Sequence, residues 1–103
     1  MNQTISGSVA LVTGGSRGIG RSISLALASR GIKVAVNYVS DQSAAEEVLN
    51  ELRSNGGDGA TFRADVADES DVIEMVGRIE SELGPIDLLA VSYTHLRAHE
   101  TSL

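Results

Sequence analysis

The residues with the clearest chemical potential form a glycine-rich segment near the N-terminus, Thr13-Gly14-Gly15-Ser16-Arg17-Gly18-Ile19-Gly20. It follows an apolar run typical of a strand buried on both faces and precedes apolar residues at helical spacing. In such a turn Gly14 would let the chain leave the strand sharply, Gly18 would admit a pyrophosphate, and Gly20 would let the helix pack closely. Free N–H groups at the helix start would face the phosphates. The alternative is a strand–helix turn that binds nothing.

Apolar runs alternate with amphipathic segments along the rest of the chain. The runs at 9–13, 33–38 and 60–64 predict three strands, and a fourth begins at Ile86. Helical spacing of apolar residues fills the intervals between them. Because short connections join alternating strands and helices, the sequence predicts a parallel sheet with right-handed helical crossovers.

Polar residues are expected to cap the second and third helices. Ser43 followed by Glu46 resembles a capping box, and Asp68 is a candidate N-cap for the third helix. The residues expected to face the sheet are Ala44, Ala45, Val48, Leu49 and Leu52 in the second helix and Val72, Ile73, Val76, Ile79 and Leu83 in the third.

The composition excludes several classes of function. The formal net charge of −6 disfavours nucleic acid as a partner, although backbone dipoles can still hold a small phosphate ligand. The absence of cysteine excludes disulfides, thiolate metal sites and cysteine nucleophiles. No apolar run approaches the roughly 20 residues that span a bilayer, and the first residues lack a signal-peptide pattern. We therefore expect a cytoplasmic protein without nucleic-acid or membrane partners.

Three motifs in order resemble those of the short-chain dehydrogenase/reductase family. The segment 13–20 resembles the family's cofactor signature, and Asp65-Val66 resembles its adenine-contacting pair. Residues 84–89, Gly-Pro-Ile-Asp-Leu-Leu, resemble the lead-in to its fourth strand. The resemblance covers about Ser6 to Leu89. It implies a Rossmann-type, doubly wound α/β fold with a parallel sheet, here truncated after the fourth strand.

The resemblance also implies which residues contact the cofactor. We expect these to be Gly14, Ser16, Arg17, Gly18, Ile19, Gly20, Asn37, Tyr38, Asp65 and Val66. For Asp65 a second interpretation stays open, because aspartate is common after strands as a capping or turn residue.

The end of the second strand bears on the choice of nicotinamide cofactor. Members that prefer NAD usually carry an acid there, bonded to the ribose hydroxyls. Asn37-Tyr38 holds that place here, and Arg17 could offer a charged fork to a 2′-phosphate. Alternatively, Arg17 is a solvated turn residue, and Asp41 lies near enough in sequence to complicate the choice. The sequence favours NADP over NAD.

The resemblance implies that the parent enzyme reduces a carbonyl to an alcohol with NADPH, using a Ser–Tyr–Lys set for proton transfer. None of those catalytic residues is expected in this chain, so we predict an inactive N-terminal fragment. Within the family the chain is most similar to 3-oxoacyl-acyl-carrier-protein reductases of fatty acid biosynthesis. The parent would then act on a small-molecule or acyl-carrier carbonyl and form a homotetramer. A non-catalytic NADP-binding module and another short-chain alcohol or sugar dehydrogenase are the alternatives.

The family pattern stops after Leu89. We expect residues 1–90 to be the N-terminal part of a dinucleotide-binding domain and residues 91–103 to be a non-native, disordered tail. Val91–Thr101 resembles the translation of a transposase-type sequencing adapter, whereas the family continues with Asn-Asn-Ala-Gly. Two pairs in the tail imitate functional spacings and are assigned neither a metal site nor a catalytic role: His95 with His99, and Tyr93 with Arg97.

Overall fold

Strands and helices alternate through residues 7–91, the part of the chain that the computed structural model describes. The order is β1 (Val9–Thr13), α1 (Gly18–Ala28), β2 (Lys33–Tyr38), α2 (Gln42–Ser54), β3 (Gly59–Arg63), α3 (Glu69–Glu82) and β4 (Ile86–Val91). The predicted β-α-β-α-β-α-β order is confirmed. Of the expected disordered tail, residues 91–103, Val91 lies at the end of β4, and residues 92–103, with the two pairs, lie outside the described residues.

The four strands form one parallel sheet in the order β3-β2-β1-β4. β1 lies inside the sheet, where Val12 pairs with Val36 of β2 on one side and with Ala90 of β4 on the other. The chain moves outward from β1 to β3 and then crosses back to place β4 beside β1. The strand order therefore reverses at β1, which is where doubly wound sheets bind their ligands.

Helices cover both faces of the sheet. α1 and α2 pack on the face that carries the alternate residues Val12, Val34 and Val36. α3 packs on the opposite face, where Met75 and Ile79 meet Leu11 and Phe62. Because buried strands need apolar residues on both sides, the continuous apolar runs of β1 and β2 follow from this arrangement. The prediction of a doubly wound fold is confirmed.

The cap of α2 differs from the prediction. Asp41 is the N-cap, and its side chain accepts a hydrogen bond from the Ala44 amide at 3.0 Å. The capping box predicted at Ser43 is wrong, because Ser43 lies inside the helix and Glu46 accepts from Thr61 on β3 instead. The predicted N-cap of α3, Asp68, is confirmed.

The cap of α3 is Asp68, whose side chain accepts from the amides of Ser70 and Asp71.

The buried face of α3 is displaced from the predicted one. Met75 and Ile79 are buried, whereas Ile73 is 66% exposed. The prediction of Ile73 is wrong because residues 72, 75, 76, 79 and 83 form the helical stripe, and position 73 lies about 100° away from it.

The fourth strand joins β1 through an irregular register. Val9 pairs with Ile86 and Ala10 pairs with Leu88, so Asp87 is an extra residue between the two pairs. The Asp87 carboxylate accepts a hydrogen bond from the Val9 amide at 3.0 Å, which compensates for the interrupted ladder.

Along residues 7–91, no helix has the length and hydropathy needed to cross a membrane.

Candidate nucleotide-binding site

The turn between β1 and α1 needs glycine for two physical reasons. Gly14 and Gly18 have φ of +64° and +50°, the left-handed region that favours glycine. At Gly20 the reason is space, because an added Cβ would fall on the Gly14 carbonyl and lie 2.8 Å from its carbon. The turn therefore folds back against the first residues of α1, and its backbone stays uncovered by side chains at these positions.

The N-terminus of α1 differs from those of the other two helices. Arg17 occupies its N-cap position in extended conformation and makes no capping hydrogen bond, and the first turn contains no acidic residue. Asp41 and Asp68 cap α2 and α3. Among the helices of residues 7–91, α1 is thus the one that begins without a side-chain cap. Its first amides and its positive dipole end suit an anion.

Asn37 supports the turn from the core side. Its side chain is buried, its Oδ1 accepts from the Gly14 amide at 3.1 Å, and its Nδ2 donates to the Ala64 carbonyl at 3.1 Å. The Asn37 carbonyl also accepts from the Gly15 amide at 3.0 Å. Asn37 therefore connects the glycine turn to the end of β3. Its side chain lies behind the turn, in the core, and not on the open side where Arg17 lies.

An open cleft lies between the glycine turn and the end of β2. Its lining residues are Gly14, Ser16, Arg17, Tyr38, Val39, Ser40 and Asp41. The structure thus brings together four of the expected cofactor contacts. Val39 and Ser40 were missed by the sequence reasoning, although they directly follow a parallel strand whose end meets the turn at the same edge of the sheet.

An ion pair joins the two sides of this cleft. The Arg17 guanidinium donates to Asp41 Oδ2 at 2.8 Å, and both side chains remain partly exposed. The Ala44 amide and, after it, the Arg17 guanidinium hold the pKa of the Asp41 carboxyl below its ordinary value. Asp41 is therefore ionised at neutral pH, and its charge offsets that of Arg17.

The remaining expected contacts are not among the residues that line the cleft. Ile19 is exposed at the start of α1, and Val66 is exposed after β3. Asp65 accepts from the Ala67 amide at 2.9 Å, and its own amide donates to Asp71. This is the turn-forming role that the second interpretation of Asp65 described. Within residues 7–91 no group of three or more His, Cys, Asp or Glu side chains is placed to hold a metal ion.

The geometry fits the phosphates of a nucleotide. A glycine turn without obstructing side chains, an uncapped helix start and an arginine meet where the strand order reverses. These features define the doubly wound class of domains, in which ligands bind at the carboxyl ends of the strands. Within that class, residues 8–101 match the family model of the short chain dehydrogenases, and the chain belongs to this family.

Several relatives illustrate the similarity. The chain is 41% identical over 101 residues to versicolorin reductase of Emericella nidulans, covering 93% of this chain and 38% of that protein. It is 48% identical over 80 residues to 3-oxoacyl-[acyl-carrier-protein] reductase of Staphylococcus aureus, covering 78% of this chain and 32% of that protein. The chain thus spans about a third of the length of these relatives.

A solved structure agrees with the fold. The crystal structure of a dehydrogenase/reductase from Sinorhizobium meliloti superposes with a TM-score of 0.82 at 38% identity, covering 84% of this chain and 34% of that one. The family assignment therefore rests on sequence and on the arrangement of strands and helices alike.

Proposed function

We propose that this chain binds NADP(H) through the glycine turn and the adjoining cleft. The observation that carries the proposal is the uncapped start of α1, with Arg17 beside it, at the reversal of the strand order. The amides of the turn would hold the diphosphate, Gly18 adopts the left-handed backbone conformation of the turn, and Gly20 lets α1 pack against Gly14. Tyr38 ends β2 in place of the acid that bonds the ribose hydroxyls of NAD, so the strand itself offers no carboxylate at that position.

The nicotinamide would supply hydride to a carbonyl in the parent enzyme. The two relatives described above are named reductases, one of a 3-oxoacyl carrier-protein substrate and one of versicolorin. We propose that the parent is a carbonyl reductase of the first kind, supported by the higher identity of 48% over 80 residues. The match to versicolorin reductase over more of the chain favours a versicolorin-like substrate as the second candidate.

The chain itself is proposed to bind without turnover. Lys33 is its only lysine, and neither Tyr38 nor Tyr93 precedes it by four positions. A Tyr-x-x-x-Lys pair is therefore impossible in these residues. Lys33 also begins β2, at the opposite end of the sheet from the cleft. Incubation with NADPH and a 3-oxoacyl thioester should leave the absorbance of NADPH unchanged; steady oxidation would contradict this proposal.

Calorimetric titration with NADP and NAD tests the cofactor proposal. We expect NADP to bind more tightly than NAD. Arg17→Gln should weaken the affinity for NADP by about tenfold, because a hydrogen bond to a charged group contributes on this scale. The same substitution should leave the affinity for NAD unchanged, because NAD has no 2′-phosphate for Arg17 to contact.

Arg30→Gln is the matched control, because Arg30 is an exposed arginine just beyond the far end of α1. It removes the same charge and should leave both affinities unchanged. Equal weakening by both variants would mean that Arg17 acts only through net charge. Failure of the unsubstituted chain to bind either nucleotide would refute the function as a whole.

A further inference from the structure

Among the described residues that line the cleft, one is a cation and one is an anion, and they neutralise each other. Arg17 and Asp41 are joined at 2.8 Å, and their side chains are 65% and 40% exposed. The other lining residues are uncharged: Gly14, Ser16, Tyr38, Val39 and Ser40. The arginine that would meet a cofactor phosphate is thus already occupied by a carboxylate of its own chain.

The two oxygens of Asp41 have separate roles. Oδ2 accepts from Arg17, whereas Oδ1 accepts from the Ala44 amide at 3.0 Å and caps α2. The carboxylate cannot swing out of the cleft without breaking that cap. A ligand anion that takes over Arg17 therefore leaves Asp41 unpaired and close to the newly bound negative charge.

We propose that Asp41 is a specificity-determining residue that competes with the 2′-phosphate of NADP for Arg17 and so limits the preference for NADP over NAD. This inference rests on the nucleotide binding proposed above. NADP must displace the carboxylate and then tolerate its charge, whereas NAD leaves the ion pair intact. The competition therefore weakens the affinity for NADP and leaves the affinity for NAD unchanged.

Asp41→Asn tests this competition with little disturbance of the helix. Asparagine caps helices about as well as aspartate, so α2 should keep its start. An exposed ion pair and a nearby like charge have modest effects, so we expect NADP to bind about fivefold more tightly at low salt. The affinity for NAD should stay within about twofold of that of the unsubstituted chain.

The double-mutant cycle with Arg17→Gln separates competition from simple repulsion. Calorimetry on the full chain, D41N, R17Q and R17Q/D41N gives the coupling between the two residues. Competition predicts that D41N tightens NADP binding in the presence of Arg17 and much less in its absence. An equal gain in both backgrounds, or no gain in either, would overturn the proposal.

Asp68→Asn is the matched control, since Asp68 caps α3 in the same way but does not line the cleft. It should change neither affinity; a gain in NADP affinity equal to that of D41N would overturn the proposal.

A second measurement needs no nucleotide. Carbon-detected NMR titration of the free chain should show a higher pKa for Asp41 in R17Q, because one of the two groups that lower it is gone. An unchanged pKa would show that the ion pair does not form in solution and would also overturn the inference. Because this readout is independent of cofactor, failure of the proposed nucleotide binding remains distinguishable from failure of the ion pair.

Discussion

Gly20 and Gly77 both lie inside helices, yet their surroundings are opposite. A Cβ at Gly20 would collide with the backbone of Gly14, whereas a Cβ at Gly77 would meet nothing within 4 Å. Gly20 is therefore required for α1 to pack against the turn. Gly77 has no such role, and the helix tolerates it at some cost in backbone entropy.

Alanine at these two positions should act in opposite directions. We expect Gly20→Ala to lower the free energy of unfolding by about 1–3 kcal/mol through overpacking and to weaken NADP binding. Gly77→Ala should raise the free energy of unfolding by about 0.5–1 kcal/mol and leave binding unchanged. Urea denaturation followed by circular dichroism measures both. A stable Gly20→Ala variant with full affinity would show that the turn has room to move.

Asn37 shows what sequence reasoning could not determine at this scale. Its position at the end of a strand suggested a cofactor contact, but its side chain is 1% exposed. The partners of that side chain belong to the turn after β1, to the end of β3 and to α3. They are known only once the register of three strands is known. The glycines, in contrast, could be interpreted from their local order along the chain.

Among the elements, α3 depends most clearly on a single polar residue at its start. Asp68 accepts from two amides of the first turn, and the helix buries only Met75 and Ile79 deeply. Asp68→Ala should lower the free energy of unfolding by about 1 kcal/mol, because both amides lose their acceptor.

Asp68→Asn, which retains a capping oxygen, should cost a small fraction of that value. Thermal and urea unfolding of the two variants give the comparison. If the alanine and asparagine variants unfold at the same midpoint, the cap contributes nothing to α3.

The strands were predicted more accurately than the helix faces. A continuous apolar run predicts a buried strand from local sequence alone. The bounds predicted for β1, residues 9–13, agree with the structure. At the start of α2, the sequence predicted a cap at Ser43, whereas the structure places it at Asp41, two residues earlier. The choice between them depends on where β2 ends and on Arg17, which lies far away in sequence. The shift from Ile73 to Met75 likewise depends on how α3 is rotated over the sheet.

At the scale of the whole molecule, β4 presents an apolar surface. Its residues Leu88, Leu89 and Val91 are 42%, 63% and 47% exposed, and within residues 7–91 it pairs only with β1. Open strand edges with apolar side chains promote association between chains. We therefore expect the chain to self-associate at high concentration.

Leu89→Lys should reduce this association, measured by light scattering and size-exclusion chromatography, without changing NADP affinity. Ile73→Lys is the control, because Ile73 is similarly exposed but lies on α3, away from the open edge. Equal improvement by both variants would indicate general solubility and not a specific role of β4.

The position of β1 inside the sheet has a consequence for synthesis on the ribosome. Val9 and Asp87 are hydrogen-bonded although they are 78 positions apart, and β4 is the last strand of the described chain to emerge. At about 5–20 residues per second, the first strand made would wait several seconds for its second neighbour. Nascent chains stalled before Ile86 should therefore have β1 accessible to chaperones along one side, in spite of its early synthesis.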